Sequence, residues 1–351
     1  MPELWGTQYN RAELVERLGD MRQLADVRPF EFMDGPERGA RAVFIRNAAG
    51  LAFCVLLDRG MSLYDLQFRG VPVPFLSTAG AVHPAYYDPS GTGWLRSWPG
   101  GFLTPCGLTQ VGSPCCDGEE QLGLHGRVAS LTAENAAWGA DWQGDDYLLW
   151  VEGRMRESVV FGENLLLRRR IWARLDSPIF WIEDKVENHG FGQSPHMFLQ
   201  HINLGFPLVG STTRLILPEH TTLPRDENAA SGVADCLSFS DPVADYTEQV
   251  FYHDLSADAD GQVEVRLVNP AFSRGHGLGL VLRYSKNEYP VFVEWKMMRA
   301  GTYVVGLEPS NCRVEGRAAE RAAGRMQFLQ PGEVRSYTIE VEFFEPGKVA
   351  Q

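Results

Sequence analysis

Beyond residue 128 the chain runs as a succession of short segments in which apolar residues recur at every second position, with no long helical segment between them. ENLLLRRRIWARL places Leu165, Leu167, Ile171, Ala173 and Leu175 on one parity and Arg168, Arg170 and Arg174 on the other. FWIEDKVEN sets Phe180, Ile182 and Val186 against Glu183 and Lys185, and RSYTIEVEFFEP sets Tyr337, Ile339, Val341 and Phe343 against Thr338, Glu340 and Glu342. A period of two is the mark of a strand with one buried and one wet face, as in antiparallel sheet. GQVEVRLVNP, GLGLVLRYSK, VFVEWKM and GTYVVGLEP extend the series. Upstream, ARAVFIRN, LAFCVLLDRG and MSLYDLQFRG begin it, with Gly60 and Gly70 as turns. Strand after strand without crossover helices predicts an all-β fold, a large antiparallel β-sandwich of two packed sheets.

Three regions depart from that pattern. RAELVERLGDMRQL puts Leu14, Val15, Leu18 and Met21 on one helical face behind Asn10, a capping residue type, so a short N-terminal helix is expected outside the main body. We therefore divide the chain into an N-terminal helical extension over 1–30 and a single β-sandwich domain over 31–351. Residues 71–103 carry Pro72, Pro74, Pro84 and Pro89 among many glycines and aromatics, which forbids long regular elements. Such a segment either covers a site or plugs a sheet edge with Tyr86, Tyr87, Trp94 and Trp98. Residues 219–241 are polar and aperiodic and read as surface loop.

Composition excludes several classes. A chain of 351 residues that is 44% hydrophobic can bury a large core, and a net charge of -13 argues against a nucleic-acid face. The one basic run, Arg168–Arg170, reads as solvated or paired surface. No apolar run approaches the ~20 residues that span a bilayer, so no membrane partner is expected. Glu3, Glu13 and Glu16 crowd the start without an apolar h-region, which predicts a cytoplasmic protein. Cys115 and Cys116 are adjacent, and the other four cysteines are scattered. That is neither a zinc knuckle nor a disulfide framework, so no metal is expected. Self-association as a homo-oligomer is left open.

Residues 104–127 end in Gly-Leu-His-Gly-Arg, a sharp turn presenting His125 and Arg127. Two distant stretches complement it: QHINLGFP around His201 and YVVGLEPSN around Glu308. Histidine titrates near ~6.5 and suits proton exchange at neutrality. Glu308 closes an apolar stretch, where desolvation raises a carboxyl pKa and makes it a better base. Trp295 and Lys296 point to opposite faces of one strand; an aromatic ring would stack on a sugar, while Lys296 or Arg59 would bind sugar oxygens or an anionic group. There is no G-x-G-x-x-G phosphate loop, no G-x-S-x-G elbow and no H-E-x-x-H.

The GLHGR, QHINLGF and GLEP stretches resemble the aldose 1-epimerase (galactose mutarotase-like) superfamily, and within it an uncharacterised bacterial branch. The resemblance covers roughly residues 40–345. It departs from the usual pattern in having no proline after His201. It implies a sugar mutarotase in which Glu308 takes the proton of the anomeric hydroxyl and His201 protonates the ring oxygen. His125 and Arg127 would hold ring or hydroxyl oxygens, and Asp254 would orient hydroxyls. The ligand is a small-molecule carbohydrate, and neither a redox cofactor nor a metal is required. Two other readings stand beside it: another isomerase, a lyase or a hydrolase on the same scaffold, or a carbohydrate-binding protein without turnover.

Overall fold

The computed structural model describes residues 1–346, and two large antiparallel sheets dominate it. The alternating segments of the second half assemble an eight-stranded sheet around Asp146–Ser158, Asn164–Arg174, Ile179–Asn188 and Val334–Phe344. An eleven-stranded sheet opposes it. Its centre is the run Gln249–Leu255, Val291–Arg299, Thr302–Ser310, Met197–Gly205 and Leu103–Leu108 in hydrogen-bonded order.

The inward parities of the two sheets interdigitate. Phe53 meets Phe180 with ring centroids 5.2 Å apart, and Phe68 stacks on Phe343 at 5.5 Å. Ile202, Leu204, Val305 and Leu307 enter this core from the large sheet, and Ile171, Ile182 and Ile339 from the other. Burying apolar side chains contributes roughly 25 cal/mol per Å2, so this interface dominates stability.

The central strand Met197–Gly205 is buried at every residue, so neither face meets solvent. Its other parity, with Met197 and Leu199, joins a second apolar cluster on the outer face of the large sheet. Trp94, Trp98, Val250, Val293 and Val314 complete that cluster. It exists because residues 73–102 and 109–125, on either side of the strand Leu103–Leu108, fold back over the sheet, the first stretch through the 3-10 turns Pro84–Tyr86 and Gly93–Arg96.

The N-terminal expectation is met in part. Asn10 caps the helix Arg11–Arg17 through a capping box with Glu13. The helix stops where Leu18 turns extended ahead of Gly19, and only Leu14 is buried on it. Leu4 and Leu14 belong to the main core, and Asp26–Glu31 is the edge strand of the large sheet, paired with Arg41–Arg46. A boundary at residue 30 therefore falls inside a strand. Residues 347–351 of the expected sandwich domain lie outside the described residues. Residues 219–241 are more ordered than a surface loop: they contain the strand His220–Pro224, the helical turn Glu227–Ala230 and the buried Cys236. Among the described residues no helix is long and apolar enough to cross a membrane.

Candidate active site

Two neighbouring strands form the floor of the site. The register that pairs Leu199 with Ser310 and Ile202 with Leu307 sets His201 directly across from Glu308. Both are buried, at 5% and 2% exposure, and His201 Nε2 lies 3.1 Å from Glu308 Oε1. That is ion-pair distance, but the ring N–H is not aligned on the oxygen, and Glu308 Oε1 has no hydrogen-bond partner. The room for the carboxylate comes from Gly306, two residues earlier on the same face. A Cβ there would sit 2.4 Å from Glu308 Oε1 and 3.1 Å from Trp295 Cβ.

Aromatic rings wall the cavity, which encloses ≈ 290 Å3. Trp98 and Trp295 stand 5.6 and 5.4 Å from the His201 ring, and Trp94 stacks on Trp98 at 5.3 Å. His125 closes the group, 4.9 Å from Trp94 and 5.5 Å from His201. The turn holding it is tightly specified. His125 has a φ of 57° and Gly126 one of 73°, and a Cβ on Gly126 would meet the Gln110 and Gly107 carbonyls at 2.4 and 2.5 Å. The His125 N–H donates to Gly112, and its carbonyl accepts from Gly107.

Electrostatically the floor of the site combines shifted proton affinities with unmet hydrogen-bonding capacity. Burial pushes the Glu308 carboxyl well above the usual carboxylate range, with Glu248 adding and Arg225 opposing. Burial likewise pulls His201 below an ordinary histidine, and lowers His125 to about 3, with His201 adding. His125 is half-buried and lines the cavity. Trp94 Nε1, His125 Nδ1, His201 Nδ1 and Glu308 Oε1 are all buried without a partner. Buried polar atoms are normally satisfied, so four at one cavity mark a place built for a polar ligand.

Of the residues selected from sequence, His125, His201 and Glu308 come together here. The others do not line this cavity. Arg127 projects to the far side of its turn, into a separate hollow with Tyr87 and Glu157. Arg59 is buried and donates from Nη2 to the Ser97 carbonyl at 2.7 Å, so it braces the Trp98 loop from behind. Asp254 lies on the correct face of its strand but beyond Tyr252, exposed and paired with Lys286 at 2.6 Å. Lys296 faces away from Trp295, as strand alternation requires, and donates to the Asp235 and Ser238 carbonyls.

Arg225 and Glu248 were missed. They form an ion pair at 3.1 Å on the cavity wall, and Glu248 accepts from Trp295 Nε1 at 2.8 Å. Both sit in aperiodic segments, where the only sequence signal is a charged residue next to a strand end.

Comparison with known proteins bears on the fold. The family model described as Domain of unknown function (DUF4432) matches residues 37–343. No curated protein matches the chain in sequence. A solved Klebsiella pneumoniae protein, provisionally assigned as an aldose 1-epimerase, superposes with a TM-score of 0.86 at 22% identity, over 92% of this chain and 84% of its own. A galactose mutarotase-like protein from Clostridium acetobutylicum gives a TM-score of 0.61 at 13% identity, over 92% and 99% of the two chains. Galactose 1-epimerase from Lactobacillus acidophilus gives 0.60 at 13%, over 91% and 99%. Identities this low establish a common fold and leave activity to be argued from the site. On that footing the chain is a member of the DUF4432 family, built on the galactose mutarotase-like fold.

Proposed function

We propose that the protein is a sugar mutarotase that interconverts the α and β anomers of a free monosaccharide. The observation that carries this reading is the His201–Glu308 pair, 3.1 Å apart at the base of a small tryptophan-walled cavity. Mutarotation needs one group to accept a proton while another donates one, and then the reverse. A carboxyl with its pKa raised beside an imidazole with its pKa lowered shares one proton and stays neutral overall, so burial does not penalise it.

Moving that proton from Glu308 to His201 gives a carboxylate base and an imidazolium acid, a tautomer that sugar hydroxyls stabilise on entering the cavity. Glu308 takes the proton of the anomeric hydroxyl, and His201 delivers its own to the ring oxygen. The bond between the anomeric carbon and the ring oxygen breaks, leaving an open-chain aldehyde. Rotation about the bond to the next carbon presents the other carbonyl face. Closure returns both protons, so none is gained or lost. Each group contributes typically ~10²–10⁴-fold.

The walls suit a carbohydrate. Indole faces at Trp98 and Trp295 match the apolar C–H face of a sugar ring, and His125 supplies a polar atom at the edge. A cavity of ≈ 290 Å3 holds one sugar ring rather than a chain. The unpartnered atoms of His125, His201 and Glu308 supply donors and acceptors for hydroxyls.

Anomer exchange by saturation-transfer NMR tests the reading, across aldoses, ketoses and acidic sugars. The expected result is exchange above buffer with at least one sugar, lost in Glu308→Gln and in His201→Ala. If no sugar exchanges faster than in buffer, the mutarotase assignment fails. If sugars bind but Glu308→Gln and wild type both exchange at the buffer rate, the protein is a binding protein.

A further inference from the structure

Behind the cavity, on the opposite face of the same sheet, lies a second cluster that the proposed reaction does not use. Trp295 faces the cavity, so its neighbours Glu294 and Lys296 face the sandwich interior. Glu294 pairs in register with Phe251 on one side and Leu307 on the other, and His253 with Phe292. One coordinating atom each from Cys236, His253 and Glu294 lies within 4.8 Å of the others. All three residues are buried, at 3%, 1% and 0% exposure.

We propose that Cys236, His253 and Glu294 bind a divalent transition metal of the zinc type, which staples residues 225–238 to the back of the cavity sheet. A thiolate, an imidazole and a carboxylate are the donor set zinc takes. Tetrahedral zinc holds its ligand atoms roughly 3.3–3.7 Å apart, given bonds of ~2.0–2.3 Å. His253 Nε2 lies 3.0 Å from Glu294 Oε2, so the pair opens by only a few tenths of an ångström to admit an ion.

The surroundings fit. Thr222 Oγ1 stands 3.0 Å from His253 Nδ1; in the tautomer where it accepts the ring proton, the Nε2 lone pair 3.0 Å from Glu294 is free to bind a metal. Glu294 Oε1 is buried without any hydrogen-bond partner, a costly state for a carboxylate that a metal bond relieves. Lys296 Nζ donates to the Asp235 and Ser238 carbonyls and so fixes the turn that carries Cys236. It is not repelled, because a thiolate and a carboxylate neutralise a dication. Three protein ligands leave one position for a small molecule such as water.

The stapled segment begins with Arg225 on the cavity wall, so the metal acts as a structural clamp on one side of the sugar site. The inference stands apart from the mutarotase reading, since no ligand here touches the cavity.

The test uses the whole purified chain, stripped with chelator and reloaded with zinc or cobalt alone. Stoichiometric zinc should survive gel filtration, and cobalt should give a near-ultraviolet thiolate-to-metal charge-transfer band. Cys236→Ala should abolish the band, and His253→Gln should lower retained zinc by roughly tenfold or more. Replacing Cys115 and Cys116 together by Ser should change neither. A wild-type spectrum without the band overturns the proposal, as does a band that persists in folded Cys236→Ala or disappears with Cys115 and Cys116. If Cys236→Ala fails to fold, the wild type and the Cys115/Cys116 variant still decide. A His–Glu pair that shares only a proton would give neither retained zinc nor the band.

Discussion

Glu308 and Gly306 share one face of one strand, and the carboxylate occupies the volume that any larger residue at 306 would take, with a virtual Cβ only 2.4 Å from Oε1. The pair proposed to transfer the proton therefore depends on a missing side chain as much as on the residues that form it. Gly306→Ala should displace the Glu308 carboxylate from His201 while leaving the sandwich intact. Misplacement by about 1 Å can cost ~10²-fold in rate. We expect turnover to fall by that order with little change in the thermal midpoint, measured by saturation-transfer NMR beside calorimetry.

The acid and base themselves give a different signature. Glu308→Gln keeps the shape of the side chain and removes its proton exchange, so kcat should fall by roughly 10²–10⁴-fold. Sugar affinity, read by calorimetric titration, should change by only a few-fold. A collapse of affinity with kcat preserved would place Glu308 in binding rather than chemistry.

Behind His201 the next residue, Gln200, faces inward to a buried ion pair. Arg169 Nη2 donates to Asp184 at 2.7 Å and to Gln200 at 2.8 Å, with Arg169 and Asp184 almost fully shielded from solvent. Arg169→Met removes the cation and leaves the buried Asp184 carboxylate with the neutral Gln200 amide, 2.7 Å away, which should cost about 3–5 kcal/mol in urea unfolding. Replacing Asp184 by Asn in the same chain should recover part of that loss. Equal losses in the single and double variants would mean that packing, not charge, holds the strand.

His196 predicts an acid response away from the site. It is fully buried, with Nε2 2.6 Å from the Tyr337 hydroxyl, and burial, with Arg335 adding, lowers its pKa to about 3. The folded state therefore holds it neutral while the unfolded chain protonates it below ~6.5. Stability should fall as pH drops from about 6.5 towards 3, by up to about 2 kcal/mol at pH 5 from this group. His196→Gln should flatten that part of the urea-unfolding profile between pH 7 and 5. An unchanged slope would assign the acid sensitivity elsewhere.

Much of this architecture was legible because strands carry their own register. The parity that buries Ile171 and Leu167 also buries Arg169, so the reading of the Arg168–Arg170 run as surface fails at its middle residue, which pairs with Asp184 in the core. The same alternation separates Trp295 from Lys296. His201 and Glu308 stood out as ionisable residues within largely apolar stretches, and both lie inside strands, Met197–Gly205 and Thr302–Ser310, rather than at the turns where the sequence pattern put them. Asp254 and Arg127 did not resolve in the same way: whether a residue reaches a cavity depends on how far along a strand, or on which side of a turn, it lies, and local composition does not encode that. Arg225 and Glu248 come from aperiodic segments, where tertiary packing alone decides what faces inward. The edge strand Asp26–Glu31 was hidden because Arg28, Pro29 and Glu31 break its pattern, and edge strands tolerate such residues.

The strand Met197–Gly205 has no solvent face because one side belongs to the sandwich and the other to the folded-back loops. The proposed reacting pair and most of the wall proposed to select a sugar, Trp295 excepted, are thus made by separable pieces of chain. His201 and Glu308 are fixed by the register of two central strands, while Trp94, Trp98 and His125 arrive on turns between residues 93 and 126. On the proposed function, exchanging those turns would alter which sugar fits without moving the proton path, so a single scaffold would serve many carbohydrates by revising its lid and keeping its floor.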